Sequence, residues 1–188
     1  MGKVQRPDPV LLIVAAFSRY EGALDWVRGR LQAEFGPIAL ESPSYPFDQT
    51  DYYAMSMGTE LRKAFFAPAE LIDPADLAEI KLRSNAWEEE YAATAGAAEP
   101  RPINIDPGYL TPGKLVLAST KDFVHRVYLK KGIFAEVTLF YRRGTWEPHS
   151  WTFPDYRAAQ YHPFFDRCRE YLLGRKYLLG RRKTEAGS

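Results

Sequence analysis

Apolar residues run unbroken from Val10 to Phe17, VLLIVAAF, as in a strand covered on both faces. The period then changes. Leu24, Val27, Leu31 and Phe35 recur at helical spacing, and Gly36-Pro37 closes the segment. Ser18, with Glu21 three residues on, reads as a capping box. Free N–H groups at such a terminus suit an anion, although Ser18 capping its own helix is the simpler reading. ESPSYPFDQTDYY, residues 41–53, is dense in turn formers and tyrosines and predicts a loop. YYAMSMG and LRKAFFAP predict two strands that turn near Gly58.

Asp73-Pro74 predicts the start of a second helix, with Asp73 as cap and an apolar face of Leu77, Ile80, Trp87 and Tyr91. TAGAAEPRP reads as a linker loop. INID predicts a short strand, DPGY a turn and KLVLAS another apolar segment. VHRVYLKKGIFAEVTLFY predicts a hairpin around a three-residue loop, Lys130-Lys131-Gly132, with Gly132 left-handed. That register puts Arg126 opposite Glu136, and the two should pair; His125, Val127 and Leu129 share the apolar face. The last segment predicts a helix starting near Pro154-Asp155 and interrupted at Pro163. Its end repeats YLLGRK and YLLGRR, and Arg175, Lys176, Arg181, Arg182 and Lys183 read as a solvated basic tail.

These elements give an α+β fold: a mainly antiparallel sheet, with a mixed one as the variant, and helices packed on one face. A ferredoxin-like β-α-β-β-α-β core fits the order, extended by the C-terminal hairpin and helix. The length of 188 residues suits one domain, residues 1–188, with an ordered core over about 8–175 and a basic tail from 176. A formal charge of +1, from 25 basic and 24 acidic residues, gives no whole-molecule attraction to nucleic acid or membrane. The run from Val10 to Phe17 is too short for a bilayer and reads as a buried strand rather than a signal peptide. The single cysteine, Cys168, allows no internal disulfide and argues against a zinc-thiolate site. A reducing cytoplasm is the expected compartment.

GYLTPGKL, residues 108–115, is one residue short of a phosphate-binding loop. Leu115 stands where a hydroxyl would hold magnesium, and Pro112 removes an N–H that such a loop would use. KLVLAS then looks like a strand, not a helix. The stretch therefore reads as a turn, with Gly108 and Gly113 as turn glycines at positive φ.

The runs NIDPGYL, KLVLASTKDFVHRVYL, GIFAEVTLFYRRG and WTFPDY, together with IKLRSNAWE at residues 80–88, resemble the prokaryotic domain-of-unknown-function family 4416. The resemblance covers most of the chain. It implies a stand-alone, single-domain protein of bacteria or archaea and supplies no activity.

The same segments place polar residues among apolar strands. Asn104, Asp106, Lys121, Asp122, His125, Arg126 and Glu136 fall there; Lys81, Asn85 and Glu88 share one helix face. Each has a plain structural role open to it, as turn former, cap, core histidine, cross-strand ion pair or solvated face. If they converge, Lys81, Asn85, Asn104, Lys121 and Arg126 would bind an anionic small molecule such as a nucleotide. Asp106, Asp122 or Glu136 would act as base, and His125 would carry the proton. Three scattered histidines and one cysteine give no metal-ligand spacing; the arrangement left open is Asp106, Asp122, Glu136 and His125 meeting on magnesium. No motif names a cofactor or an oligomeric state, and whether the chain is an enzyme stays open. The alternatives are an RNA-binding or RNA-modifying protein that stacks bases on Tyr45, Tyr52, Tyr53, Tyr109, Trp146 and Trp151, and a protein-interaction module without catalysis.

Overall fold

The computed structural model describes residues 2–48 and 53–185, with side chains to residue 177. Its elements are β1 (Val10–Ser18), α1 (Glu21–Phe35), β2 (Ile38–Glu41), β3 (Tyr45–Pro46), α2 (Ala54–Met57), β4 (Arg62–Pro68), β5 (Leu71–Ile72) and α3 (Leu77–Thr94). There follow β6 (Asn104–Thr111), β7 (Lys114–Ser119), β8 (Val127–Lys130), β9 (Ile133–Arg142), β10 (Thr145–Pro148) and α4 (His162–Glu185). The class is α+β. The ten strands make one open sheet of antiparallel pairs in the order β10-β9-β7-β6-β1-β4-β2; β3 adds to β4, β5 to β1 and β8 to β9.

The helices do not share one face, as the residue pattern led us to expect. Leu12, Val14 and Ala16 of β1 meet Ala23, Val27 and Leu31 of α1 and Ile80 and Trp87 of α3. Leu11, Ile13 and Ala15 point the other way, onto Phe164, Phe165, Cys168 and Leu172 of α4. Side chains alternate across a strand, and β1 is apolar at both parities, so both faces need a cover. The terminal helix supplies the second.

Several local expectations change. Ser18 ends β1 instead of capping α1: its hydroxyl donates to the Pro102 carbonyl (2.7 Å) and accepts from the Tyr20 amide (2.9 Å). YYAMSMG forms no strand; its described part holds the single turn α2. DPGY lies within β6, not in a turn. Pro154 opens a 3-10 turn, and Pro163 is the second residue of α4, where a missing N–H costs nothing. The Asp73 cap stands as expected, accepting from the Ala75 amide at 2.9 Å.

The β8–β9 hairpin keeps the expected register, Val127 to Ala135 and Tyr128 to Phe134. A bulge before Lys130 shortens its tip to Lys131-Gly132, both at positive φ (52° and 77°). Val127 and Leu129 do not enter the core, because β8 hangs on the outer edge of β9 and is exposed along its length.

The feature that positions a site is a fork. β6 pairs with β1 from Asn104 to Leu110, but with β7 only from Gly108–Leu117 to Thr111–Lys114. β7 stays with β9 as far as Ser119–Phe134. Below Gly108 the two strands part. GYLTPGKL is therefore the closed end of a hairpin: Pro112-Gly113 is its tip, and Thr111 Oγ1 accepts from the amides of Gly113 (3.2 Å) and Lys114 (3.1 Å). A phosphate-binding loop leads from strand to helix; this one joins two antiparallel strands. Neither Gly108 nor Gly113 has a positive φ. Gly108 is at the apex for another reason: a Cβ there would lie 2.3 Å from the Val116 carbonyl oxygen.

Candidate functional site

Where β7 leaves β6, the exposed edge of β6 needs hydrogen-bond partners. Helix α3 supplies them. The Ile105 amide donates to Glu88 Oε1 (2.6 Å), and the Ile105 carbonyl accepts from Lys81 Nζ (2.8 Å) and Ser84 Oγ (3.4 Å). Residues at these spacings share a helix face, so about two turns of α3 stand in for a missing strand.

The same groups form a chain of contacts. Lys81 Nζ lies 3.1 Å from Asp106 Oδ1, and Asn104 Nδ2 donates to Asp106 Oδ2 at 2.7 Å. Arg101 Nη2 donates to Glu88 Oε2 (2.9 Å) and to Asn104 Oδ1. Burial works to raise the Asp106 pKa, but the charges of Lys81 and Lys63 and the hydrogen bonds from Lys81 and Asn104 hold it below the usual aspartate range. Glu88 is displaced the other way: burial pushes its carboxyl up, against the opposing pull of Lys81, Arg101 and the Ile105 amide.

The gap between the strands is a cavity of about 870 Å³. Lys81, Asn85, Asn104 and Asp106 line it from α3 and β6; Lys121, Arg126 and Glu136 line it from the β7 and β9 side. Arg126 and Glu136 are paired as the register implied, with Nε to Oε2 at 2.7 Å. Arg126 Nη1 also donates to Ser119 Oγ (2.6 Å) and the Lys121 carbonyl (3.0 Å). His125 does not line the cavity. It touches Glu136 Oε2 at 3.1 Å and stacks on Trp151. Asp122 is exposed and off the lining, since it follows Lys121 past the bend at Thr120. Nor do Asp106, Asp122, Glu136 and His125 gather on magnesium: among the described residues no three His, Cys, Asp or Glu side chains form a group that could hold a metal ion.

Sequence reasoning missed the far end. Lys63 of β4 is 2% exposed there, paired with Asp155 at 2.5 Å and ringed by Phe17, Phe47, Phe65, Tyr156 and Tyr161, the nearest ring centroid, Tyr156, at 4.2 Å. A lysine inside the apolar run KAFFAP was the available signal. Arg101 carried none, because it sits in a loop without periodicity. The aromatics suggested as a base-stacking surface are dispersed: Trp146 is buried in the core, Tyr45 packs on it, and Tyr109 belongs to another cluster. Tyr52 lies outside the described residues, and the side chains of Arg181, Arg182 and Lys183 likewise.

The depressed Asp106 pKa has a measurable consequence. A carboxyl with a lowered folded-state pKa adds stability above its unfolded value, about 3.9, and loses that contribution as pH falls through the folded value. Asp106→Asn should therefore be less stable than the parent at pH 6, with the gap closing as the pH falls below that unfolded value. Urea unfolding across that range reads it; a gap that widens on acidification refutes it.

The family model described as Domain of unknown function (DUF4416) matches residues 8–171. No curated protein and no solved structure matches the chain. Among the described residues no helix is long and apolar enough to cross a membrane.

Proposed function

The chain belongs to the DUF4416 family, whose description names no function, and from the site alone we propose that it binds an anionic small molecule, a nucleotide or other phosphate compound, in the cavity at the strand fork. The observation that carries this reading is the cavity itself. Its volume, about 870 Å³, falls in the range of small-molecule sites, and polar side chains converge on it from segments far apart in sequence. Phe17, Phe47, Phe123 and Phe153 provide apolar wall. Its inner cations are already matched: Lys63 by Asp155, Lys81 by Asp106 and Arg126 by Glu136. Arg101 is the more open one, with its side chain 39% exposed. One of its nitrogens serves Glu88 and Asn104; a guanidinium has five N–H donors, which leaves donors for a phosphate. Asp106 and Glu88, pushed apart in acidity on one wall, are the pairing that proton transfer would use.

The test is thermal stability against nucleotides and phosphates, with and without magnesium. A ligand at about 100 times its Kd adds roughly 2.7 kcal/mol to native stability, an increase in Tm of about 5–11 °C for a chain of this size. Arg101→Ala should shrink the shift. Silence towards every phosphate compound would end the reading.

A further inference from the structure

We infer that the cavity reads a vicinal diol, as carried by a sugar or a ribose, through the Asp106 carboxylate. The inference deepens the reading of the cavity as a phosphate-compound site and rests on it for the remainder of the ligand. Among the cavity's inner carboxylates, Asp106 has its side chain 32% exposed, against 13% for Glu88, 9% for Asp155 and 1% for Glu136. It stands on β6 just beyond the fork, still paired with β1 but no longer with β7, and its side chain lines the cavity. Lys81 and Asn104 fix its two oxygens at 3.1 and 2.7 Å, so the carboxylate is ionised, oriented and still accessible.

An ionised carboxylate only accepts hydrogen bonds, and a ligand above it must bring donors. Two donor chemistries fit a carboxylate, an ammonium group and hydroxyls. Lys81 decides between them: its charge already sits against Asp106, and a second cation a few ångströms away would be repelled. Hydroxyls carry no charge. Each can also accept at its own oxygen, and the amide of Asn85, one turn along α3 from Lys81, lines the same cavity. Adjacent hydroxyls, one to each carboxylate oxygen, match this arrangement of acceptor and flanking donors. The aromatic side chains of the lining, Phe17, Phe47, Phe123 and Phe153, suit the apolar C–H face of a sugar or the ring of a base.

The test is calorimetric titration of the whole chain with four probes: ribose 5-phosphate, 2-deoxyribose 5-phosphate, AMP and 2′,3′-dideoxy-AMP, with ribose and adenosine as phosphate-free counterparts. Diol-bearing members should bind at least about ten-fold more tightly than their deoxy partners, because a site built around a hydroxyl is left unpaired by the analogue lacking it. Asp106→Asn should erase that ratio, bringing the diol-bearing members and their deoxy partners to the same affinity. The matched pairs on the unaltered protein decide the matter even if the variant folds poorly. Equal binding within each pair overturns the diol and leaves the phosphate reading intact. Binding of ribose or adenosine but not of their phosphates keeps the diol and overturns the phosphate reading. No binding by any of the six overturns both.

Discussion

Lys63→Met is expected to cost about 3–5 kcal/mol of folding stability, the usual penalty for leaving one member of a buried ion pair without the other. Lys63 and Asp155 are 2% and 9% exposed and 2.5 Å apart. Methionine matches the length of the lysine stem, so the aromatic box around it stays filled and the charge is what changes. The Asp155 carboxylate would then be left buried near Tyr156 and Tyr161 without its Lys63 partner. The double variant Lys63→Met, Asp155→Leu removes both charges and should recover most of the loss, since a well-packed apolar pair often equals a buried ionic one. Urea unfolding of the two single variants and the double closes the cycle. If the double is as unstable as the singles added together, the pair has no coupling and the explanation fails.

Gly108→Ala should destabilise by about 3 kcal/mol, the upper end of overpacking costs. The new methyl would be 2.3 Å from the Val116 carbonyl oxygen and 2.6 Å from Leu117 Cδ2. The first of these is backbone, held in the β7 ladder, and cannot swing aside as a side chain would. Relief requires β6 and β7 to separate at the last rung before the fork, and Leu117 also lines the cavity. Gly113→Ala is the control. It lies five residues on, at the tip of the same hairpin, where an added methyl would have no atom within 4 Å and the φ is not positive, so it should change stability by no more than about 0.5 kcal/mol. Equal effects at the two glycines would remove the close approach as the reason for Gly108.

The parts of this protein legible from its residues alone are those whose physics is local. The apolar run at Val10 to Phe17, the helical spacing from Leu24 to Phe35 and the Asp73-Pro74 start each needed only nearest neighbours on one element. So did the hairpin register that set Arg126 against Glu136. The near-miss motif GYLTPGKL was also legible as a turn, since Leu115 and Pro112 removed what a phosphate loop requires. Polar residues out of place on apolar strands marked Asn104, Asp106, Arg126 and Glu136, and the polar face of one helix marked Lys81. That these line one cavity emerges only in the folded chain, because it depends on where β6 and β7 stop pairing, and pairing between strands leaves no period in either. Folding likewise leaves Asp122 and His125 off the lining, brings Lys63 to Asp155 across 92 residues, and lets Arg101 reach in from a loop. The side of the sheet taken by α4 was settled the same way: an apolar helix face says that it must be covered, and the opposite face of β1 was the surface still open.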